Sequence, residues 1–382
     1  MERIYADNAA TTRISDEVLA AMTPFLKENF ANPSSYHSAG REVRAAIEIA
    51  RKKIASVISC EADEIYFTSG GSESDSWAIM GAARLSGAKK HIITSKTEHH
   101  AVLNTLKSLE KDGFEITYLD VDRMGFVSPE ALEKAIRRDT ALITVMFANN
   151  ETGAVQPTDE IGRIAKKHGV IFHTDAVQAF GHLPVNVKGS HIDMLSFSGH
   201  KFNAPKGAGG LYVKRGIVLP NLIYGGNQEN GRRGGTENAA AIVGMGTAAE
   251  IAAKEMETES VRLKKLREKL LCGLSAGIDG CVRNTPDKNS LPGIANVSIP
   301  FAEGEALVLM LDIKGITASS GSACMSGSKK PSHVLTAMGL DEKTAHGAVR
   351  FSFDRYTTEK DIDTILNVFP DIAKKLRDLS RL

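Results

Sequence analysis

The sequence predicts an α/β fold, with a large domain built on a mostly parallel sheet flanked by helices and a smaller C-terminal α/β domain. Three observations carry this. Short β-rich runs alternate with helix-length periodic segments between residues 64 and 213. A glycine-rich polar stretch, GGNQENGRRGGT (225–236), then breaks the alternation, and a long helical run over about 237–275 follows. Beyond it the strand and helix patterns resume in a shorter set. A chain of 382 residues accommodates two or three domains at roughly 150 residues each. The expected division is a large domain over 15–256 and a small one made of 1–14 and 257–382, the boundary falling inside the long helix.

The strands of the large domain read as EIYFT (64–68), HIIT (91–94), EITYL (115–119), ALITVMF (141–147), VIFHTDA (170–176), LSFSG (195–199) and GGLYV (209–213). Helical patterns separate them around 77–85 and over 100–113, 128–139 and 158–169. Ser128 followed by Pro129 is a helix start, and KKHG (166–169) is a helix stop. Strand–helix–strand repetition at this spacing gives parallel strands with helices on both faces. The small domain has strands near 296–300, 316–320 and 349–353 and a final helix over about 358–379.

Composition narrows the function classes. The chain is 42% apolar and 24% charged, as in ordinary globular proteins. Its formal charge of +1 gives no drive toward nucleic acid or an anionic membrane. The basic runs RKK (51–53) and RLKKLREK (262–269) read as solvated helix faces. The N-terminus MERIYADNAATTR lacks the apolar segment of a signal peptide, and no apolar window is long enough to cross a membrane. Four cysteines without C-x-x-C spacing point to a reduced, cytoplasmic protein.

In open α/β sheets ligands sit at the carboxyl ends of the strands. That rule selects Asn149, Asn150 and Glu151 after one strand, Asp175 and Gln178 after the next, and Ser198, His200 and Lys201 after another. SGGSES (69–74) turns from a strand into a helix N-terminus, where free N–H groups favour a phosphate, although a simple serine cap explains the same residues. Asp175 alone reads as a turn residue and Lys201 alone as a surface charge. Together, a phosphate cradle, an aspartate to pair with a pyridinium nitrogen and a lysine able to form a Schiff base describe a pyridoxal 5'-phosphate site. Cys324 is a separate signal. It lies in SSGSACMSGS (319–328), a stretch too small and polar to build a core around a thiol.

The ordered set SGGSESD, TEHHAV, NNETG, HTDAVQ, SFSGHKFNAPKG, RRGGTEN, SSGSAC and VRFSFDRY resembles the cysteine desulfurases of the nitrogen-fixation and iron–sulfur-assembly type. These are pyridoxal-phosphate enzymes of the class V aminotransferase group, with the type I fold of that cofactor's transferases. The resemblance runs from YADNAATT (5–12) to the last helix. It implies that Lys201 holds the cofactor, Asp175 keeps the ring nitrogen protonated, Gln178 donates to the ring's phenolic oxygen and His99 stacks on the ring. His100 reads as an ordinary loop histidine. Gly71, Ser72, Ser198 and His200 would hold the phosphate, and Thr236 would reach the phosphate of a second subunit, which implies a homodimer. Asn150 and Arg350 would bind the substrate carboxylate, although Arg350 on sequence alone also suits a surface strand position.

The implied reaction takes L-cysteine to L-alanine. Lys201 moves the α-proton, and the Cys324 thiolate takes the sulfur as a persulfide and hands it to an acceptor protein such as an iron–sulfur scaffold. Only a thiolate attacks, so a neighbour must deprotonate Cys324, and His99 is one candidate. Cys60, Cys272 and Cys281 read as bystanders. No resident metal is expected, since His173, Asp175 and His200 lack ligand spacing; Cys324 could serve as a transient iron–sulfur ligand. Three features depart from the pattern: SGGS where relatives carry alanine and threonine, Met325 where a smaller residue is common, and a C-terminus, LRDLSRL, without a scaffold-docking tail. Two alternatives use the same fold without this chemistry, a selenocysteine lyase or another class V aminotransferase. A third is a sulfur carrier with an inactive site.

Overall fold

The computed structural model describes residues 3–320 and 331–379; Cys324 and Met325 lie outside them. The chain enters through a two-residue strand, β1 (Ile4–Tyr5). The main sheet then collects β2 (Ile65–Thr68), β3 (His91–Ser95), β4 (Glu115–Leu119), β5 (Thr140–Thr144), β6 (Ile171–Asp175), β7 (Met194–Ser198) and β8 (Gly209–Val213). Their order is β2-β8-β7-β6-β5-β3-β4. Neighbours are parallel except around β8, which runs antiparallel to both β2 and β7. Every residue of β3, β5, β7 and β8 is buried, because helices cover both faces.

The expected strands form within a residue or two of their sequence limits, with two exceptions: the strand expected near 316–320 stops at Thr317, and the other lies in β5. ALITVMF ends its ladder at Thr144, and Val145–Phe147 continue as buried non-strand chain that carries the next turn. The helix expected over 128–139 is Pro129–Ala135, stopping where Ile136 turns extended. Gly169 closes helix Thr158–His168 in the left-handed conformation that the KKHG signal requires.

The 39-residue helix Ala239–Gly277 joins two cores. Its N-terminal half packs Ala241, Ile242, Met245 and Ala248 into the core of the main sheet. Its C-terminal half packs Leu263, Leu266, Leu270 and Leu274 into a second core with Ala6, Val349, Phe351 and Phe369. That second core lies against β9 (Val282–Arg283), β10 (Ile294–Ser298) and β12 (Ala348–Ser352), an antiparallel sheet in the order β12-β10-β9. β11 (Ile316–Thr317) pairs parallel to β1, so the start of the chain is stitched to residues more than 300 positions away.

One arginine in each basic run departs from the solvated face expected, while Lys52, Lys264 and Lys265 are exposed as expected. Arg51 is 8% exposed and forms two hydrogen bonds, 2.7 and 2.9 Å, to the buried Glu229 carboxylate. Arg267 is 1% exposed and donates to Ser290 Oγ and the Leu291 carbonyl. Charge periodicity on a helix does not reveal a buried acceptor that arrives from a distant loop. The 225–236 loop is itself anchored this way, since Glu229 also accepts from the Phe67 amide at 2.8 Å. No helix among the described residues is long and apolar enough to cross a membrane.

Candidate active site

The parallel strands deliver their polar residues to one edge of the sheet, around a cavity of about 360 Å³. Gly71, Ser72, His99, Asn150, Asp175, Gln178, Ser198, His200, Lys201 and Arg350 all line it. Thr236 does not: it is exposed in the 225–236 loop, outside this chain's own cavity.

One end is a cradle. Helix Gly71–Leu85 starts behind Gly70, whose φ of +156° suits only glycine. Gly70 supplies no side-chain cap, so the first-turn amides keep their donors directed at the cavity end. A Cβ on Gly71 would sit 2.7 Å from Val177 Cγ2, so the backbone approaches this end closely. Ser72 and Ser198 bring hydroxyls to the same place.

The floor is acidic and dry. Asp175, at the last position of β6, is 5% exposed, and its Oδ1 accepts from the Val177 amide at 2.9 Å. Burial raises its pKa to about 6, with Lys201 pulling the other way. Asp75 and Glu98 are buried nearby. Burial and the charge of Asp175 hold Asp75 well above the usual carboxylate range. Burial pushes Glu98 up to about 8, although Ser95 Oγ at 2.6 Å and the Met146 amide at 2.9 Å both donate to it. Asp75 Oδ1 has no hydrogen-bond partner. Below them, His173 is fixed between Thr144 Oγ1 at 2.9 Å and Ser196 Oγ at 3.0 Å, and burial lowers it to about 3, so it is neutral. His173 therefore belongs to a hydroxyl network. Among the described residues no group of three or more His, Cys, Asp or Glu side chains is placed to hold a metal ion.

Lys201 follows β7 in a single 3₁₀ turn, and its Nζ donates to the carbonyls of Ala9 and Ala10 at 2.7 and 2.8 Å. Gln178 Nε2 donates to the same Ala9 carbonyl at 3.0 Å. The N-terminal segment 5–12 is thus a strap across the cavity. Its Thr12 binds the His200 carbonyl, and Thr11 Oγ1 bonds His200 Nδ1 at 3.1 Å.

Three imidazoles form a side wall. His99 caps helix His100–Lys111, its Nδ1 accepting from the Ala101 amide at 3.1 Å. Burial, then the charge of Lys201, lowers it to about 4, so the ring is neutral and the acceptor role of Nδ1 puts its proton on Nε2. His100, expected as a loop histidine, is the first residue of that helix and lines the cavity. Its ring lies 4.8 Å from His333, whose Nε2–H donates to the Glu98 carbonyl at 3.0 Å.

The opposite wall is Arg350, on β12. It is 2% exposed, which removes the surface-strand reading. Nη1 donates to the Asn150 carbonyl at 2.9 Å and Nη2 to Asp7 at 2.7 Å. Asn149 sets the turn that presents Asn150, its Oδ1 accepting from the amides of Glu151 and Thr152 at 2.9 Å each. Glu151 is buried and accepts from Ser332 Oγ at 2.5 Å.

Sequence reasoning missed Asp75, Glu98, His333 and Asp7. Asp75 carried a usable signal, one helical turn beyond Gly71 on the face turned to the sheet. His333 and Asp7 carried none, since both reach the site through tertiary docking. Of the other cysteines, burial pushes the thiols of Cys60 and Cys281 up to about 12 and about 11, and Cys272 is exposed on the long helix.

Known proteins resemble this chain over nearly its whole length. A family model described as Aminotransferase class-V matches residues 4–365. The cysteine desulfurase IscS of Dictyoglomus turgidum is 52% identical over 378 residues, covering 99% of this chain and 96% of that protein. A solved NifS-like protein superposes with a TM-score of 0.92 at 40% identity, covering 98% of this chain and 100% of its own. A structure of SspA in complex with cysteine superposes with a TM-score of 0.82 at 41% identity, covering 93% and 100%. The chain belongs to the class V aminotransferase family, among its cysteine desulfurases.

Proposed function

We propose that this chain removes sulfur from L-cysteine, releases L-alanine and carries the sulfur as a persulfide on Cys324, with pyridoxal 5'-phosphate as cofactor. The observation that carries the reading is the convergence in one cavity of Lys201, Asp175 and Gln178 with the N-terminus of helix Gly71–Leu85. The residues fit the cofactor. A side-chain-free cradle with two hydroxyls suits a phosphate, and a buried carboxylate with no cation bonded to it suits a protonated ring nitrogen. Bound there, pyridoxal phosphate supplies an electron sink for charge developing at the substrate's Cα.

The chain's own groups do the rest. Lys201 would hold the cofactor, and its amine would move the substrate's α-proton. The neutral His99 ring offers an uncharged face to the cofactor and an Nε2–H donor. Gln178 gives an amide donor, and Ser72, Ser198, His200 and the first-turn amides hold the phosphate. Arg350 and Asn150 orient the substrate carboxylate. The Cys324 thiolate would form a bond to the substrate sulfur as the C–S bond breaks; the electron pair stays on the carbon side, Cβ takes a proton, and the Lys201 amine returns a proton to Cα to complete L-alanine. Residues 15–256 supply the cofactor site, and 1–14 with 257–382 form the small domain that carries Cys324, a division supported by the two separate cores.

We also infer a homodimer, with Thr236 reaching the partner's phosphate end; its exposure beside the exposed Tyr224 loop supports this. An acceptor protein such as an iron–sulfur scaffold takes the sulfur. The three described cysteines are free thiols, as in a cytoplasmic protein.

Incubation with L-cysteine and a reductant tests the reading. Alanine and sulfide are expected in equal amounts, and pyruvate in place of alanine contradicts it. Cys324→Ala is expected to stay yellow and form neither persulfide nor sulfide; full activity in that variant removes Cys324 from the mechanism.

A further inference from the structure

The Arg350 wall contains a group that the proposed reaction does not use. Arg350 is buried, and a buried guanidinium needs a counter-ion or it is strongly unfavourable. Its ion pair is with Asp7, at 2.7 Å, while Nη1 is taken by the Asn150 carbonyl. Nε has no hydrogen-bond partner among the described residues, and Arg350 lines the cavity. Asp7 is held firmly in this position. Its backbone bridges Ser352, and on either side Ser352 donates to the Ala6 carbonyl at 2.7 Å and Asn8 donates to the Ser352 carbonyl at 3.2 Å. The Arg350 backbone is fixed as well, exchanging hydrogen bonds with Ser319 at 2.7 and 3.1 Å. The pair is therefore a fixed element of the wall. Of the other acids nearby, Glu151 is engaged by Ser332, and none is bonded to the guanidinium.

We propose that Asp7 is a specificity-setting and positioning residue, whose carboxylate competes with the α-carboxylate of the amino acid for the charge of Arg350. The inference rests on the reading of Arg350 as the carboxylate-binding residue. An incoming carboxylate meets a cation that is already neutralised. It gains the hydrogen-bond direction Arg350 offers but only part of the electrostatic attraction a bare guanidinium would give. The consequence falls on the product. L-alanine keeps the same carboxylate as L-cysteine, so a bare Arg350 would hold it as firmly as the substrate. Asp7 keeps that grip weak enough for release.

The test compares two ligands on the holoenzyme by calorimetry: L-alanine, and ethylamine, which is L-alanine without its carboxylate. In Asp7→Asn and Asp7→Ser, L-alanine is expected to bind about tenfold tighter or more, because the buried cation then has no other anion, while ethylamine binding stays unchanged. The same variants lower KM for L-cysteine and strengthen inhibition by L-alanine, and Asp7→Glu restores both toward wild type. Unchanged or weaker L-alanine binding in folded Asp7→Asn and Asp7→Ser overturns the proposal, as does an equal change for ethylamine, which marks a merely structural role. Arg350→Ala separates the two layers. It is expected to abolish the preference for L-alanine over ethylamine; if the preference survives, the reading of Arg350 fails and the role of Asp7 falls with it.

Discussion

The floor and the arginine wall of the cavity are built on opposite plans. The floor gathers Asp175 from the end of β6, Glu98 from the turn after β3 and Asp75 from helix Gly71–Leu85, and these acids are buried without a cation bonded to any of them. Burial holds them toward the neutral form, Glu98 to about 8 and Asp175 to about 6. The wall is assembled from β12 and a strap 343 positions earlier, and its cation is compensated in place by Asp7. An uncompensated acidic floor awaits a positive ring, whereas a compensated basic wall accepts an anion only weakly. The first plan comes from neighbouring elements of one α/β layer; the second exists only once the N-terminal strap has docked.

The largest effect expected from breaking the floor is that of Lys201→Ala. Activity should fall about 10³-fold or more, and borohydride should no longer fix the cofactor to the chain. Because Lys201 Nζ also bonds the Ala9 and Ala10 carbonyls, a thermal melt serves as the folding control; retained covalent label would exclude Lys201 as the anchor.

Glu98→Gln probes the acidity of the floor. Folded Glu98 keeps its proton to about pH 8, while the unfolded side chain loses it near the ordinary glutamate value of 4.5. The folded state therefore binds more protons across that window, and the stability this gives is present below it and lost as pH rises through 8. The variant does not titrate here, so its advantage over wild type should grow from pH 4.5 to 8, reaching a few kcal/mol, of the order of ~1.4 kcal/mol per unit. His99 and His200, lowered to about 4, oppose this trend between pH 4 and 6.5, but they do so equally in both proteins. Urea unfolding at pH 5 and pH 8 gives the comparison, and a constant difference would mean that Glu98 is ionised throughout.

The smallest effect should come from the strap. Ser352→Ala removes the 2.8 Å bond from the Ala9 amide to Ser352 Oγ, which should cost ~1 kcal/mol. Hydrogen exchange should quicken at Ala9 and its neighbours and remain slow in β6 and β7. Equal loosening of floor and strap would show that the two regions are one cooperative unit.

Asp175 and Lys201 were legible in the sequence because each directly follows its own apolar run, whereas the other floor acids, Asp75 and Glu98, were not. HTDAVQ and SFSGHK each place a functional residue at a strand end whatever else the chain does. The same local logic failed for Arg51 and Arg267, whose partners Glu229 and Leu291 lie 178 and 24 positions away. It failed for His100 as well, because a histidine at a helix start does not announce which cavity that helix borders.

By itself the sequence determined the alternation of elements, the parallel sheet and the edge at which chemistry collects, since all three follow from periodicity and from where each strand stops. Only the tertiary structure decided the charge state of the floor and the pairing of Arg350 with Asp7. Both depend on desolvation and on contacts between segments hundreds of residues apart, and neither quantity is written in local order.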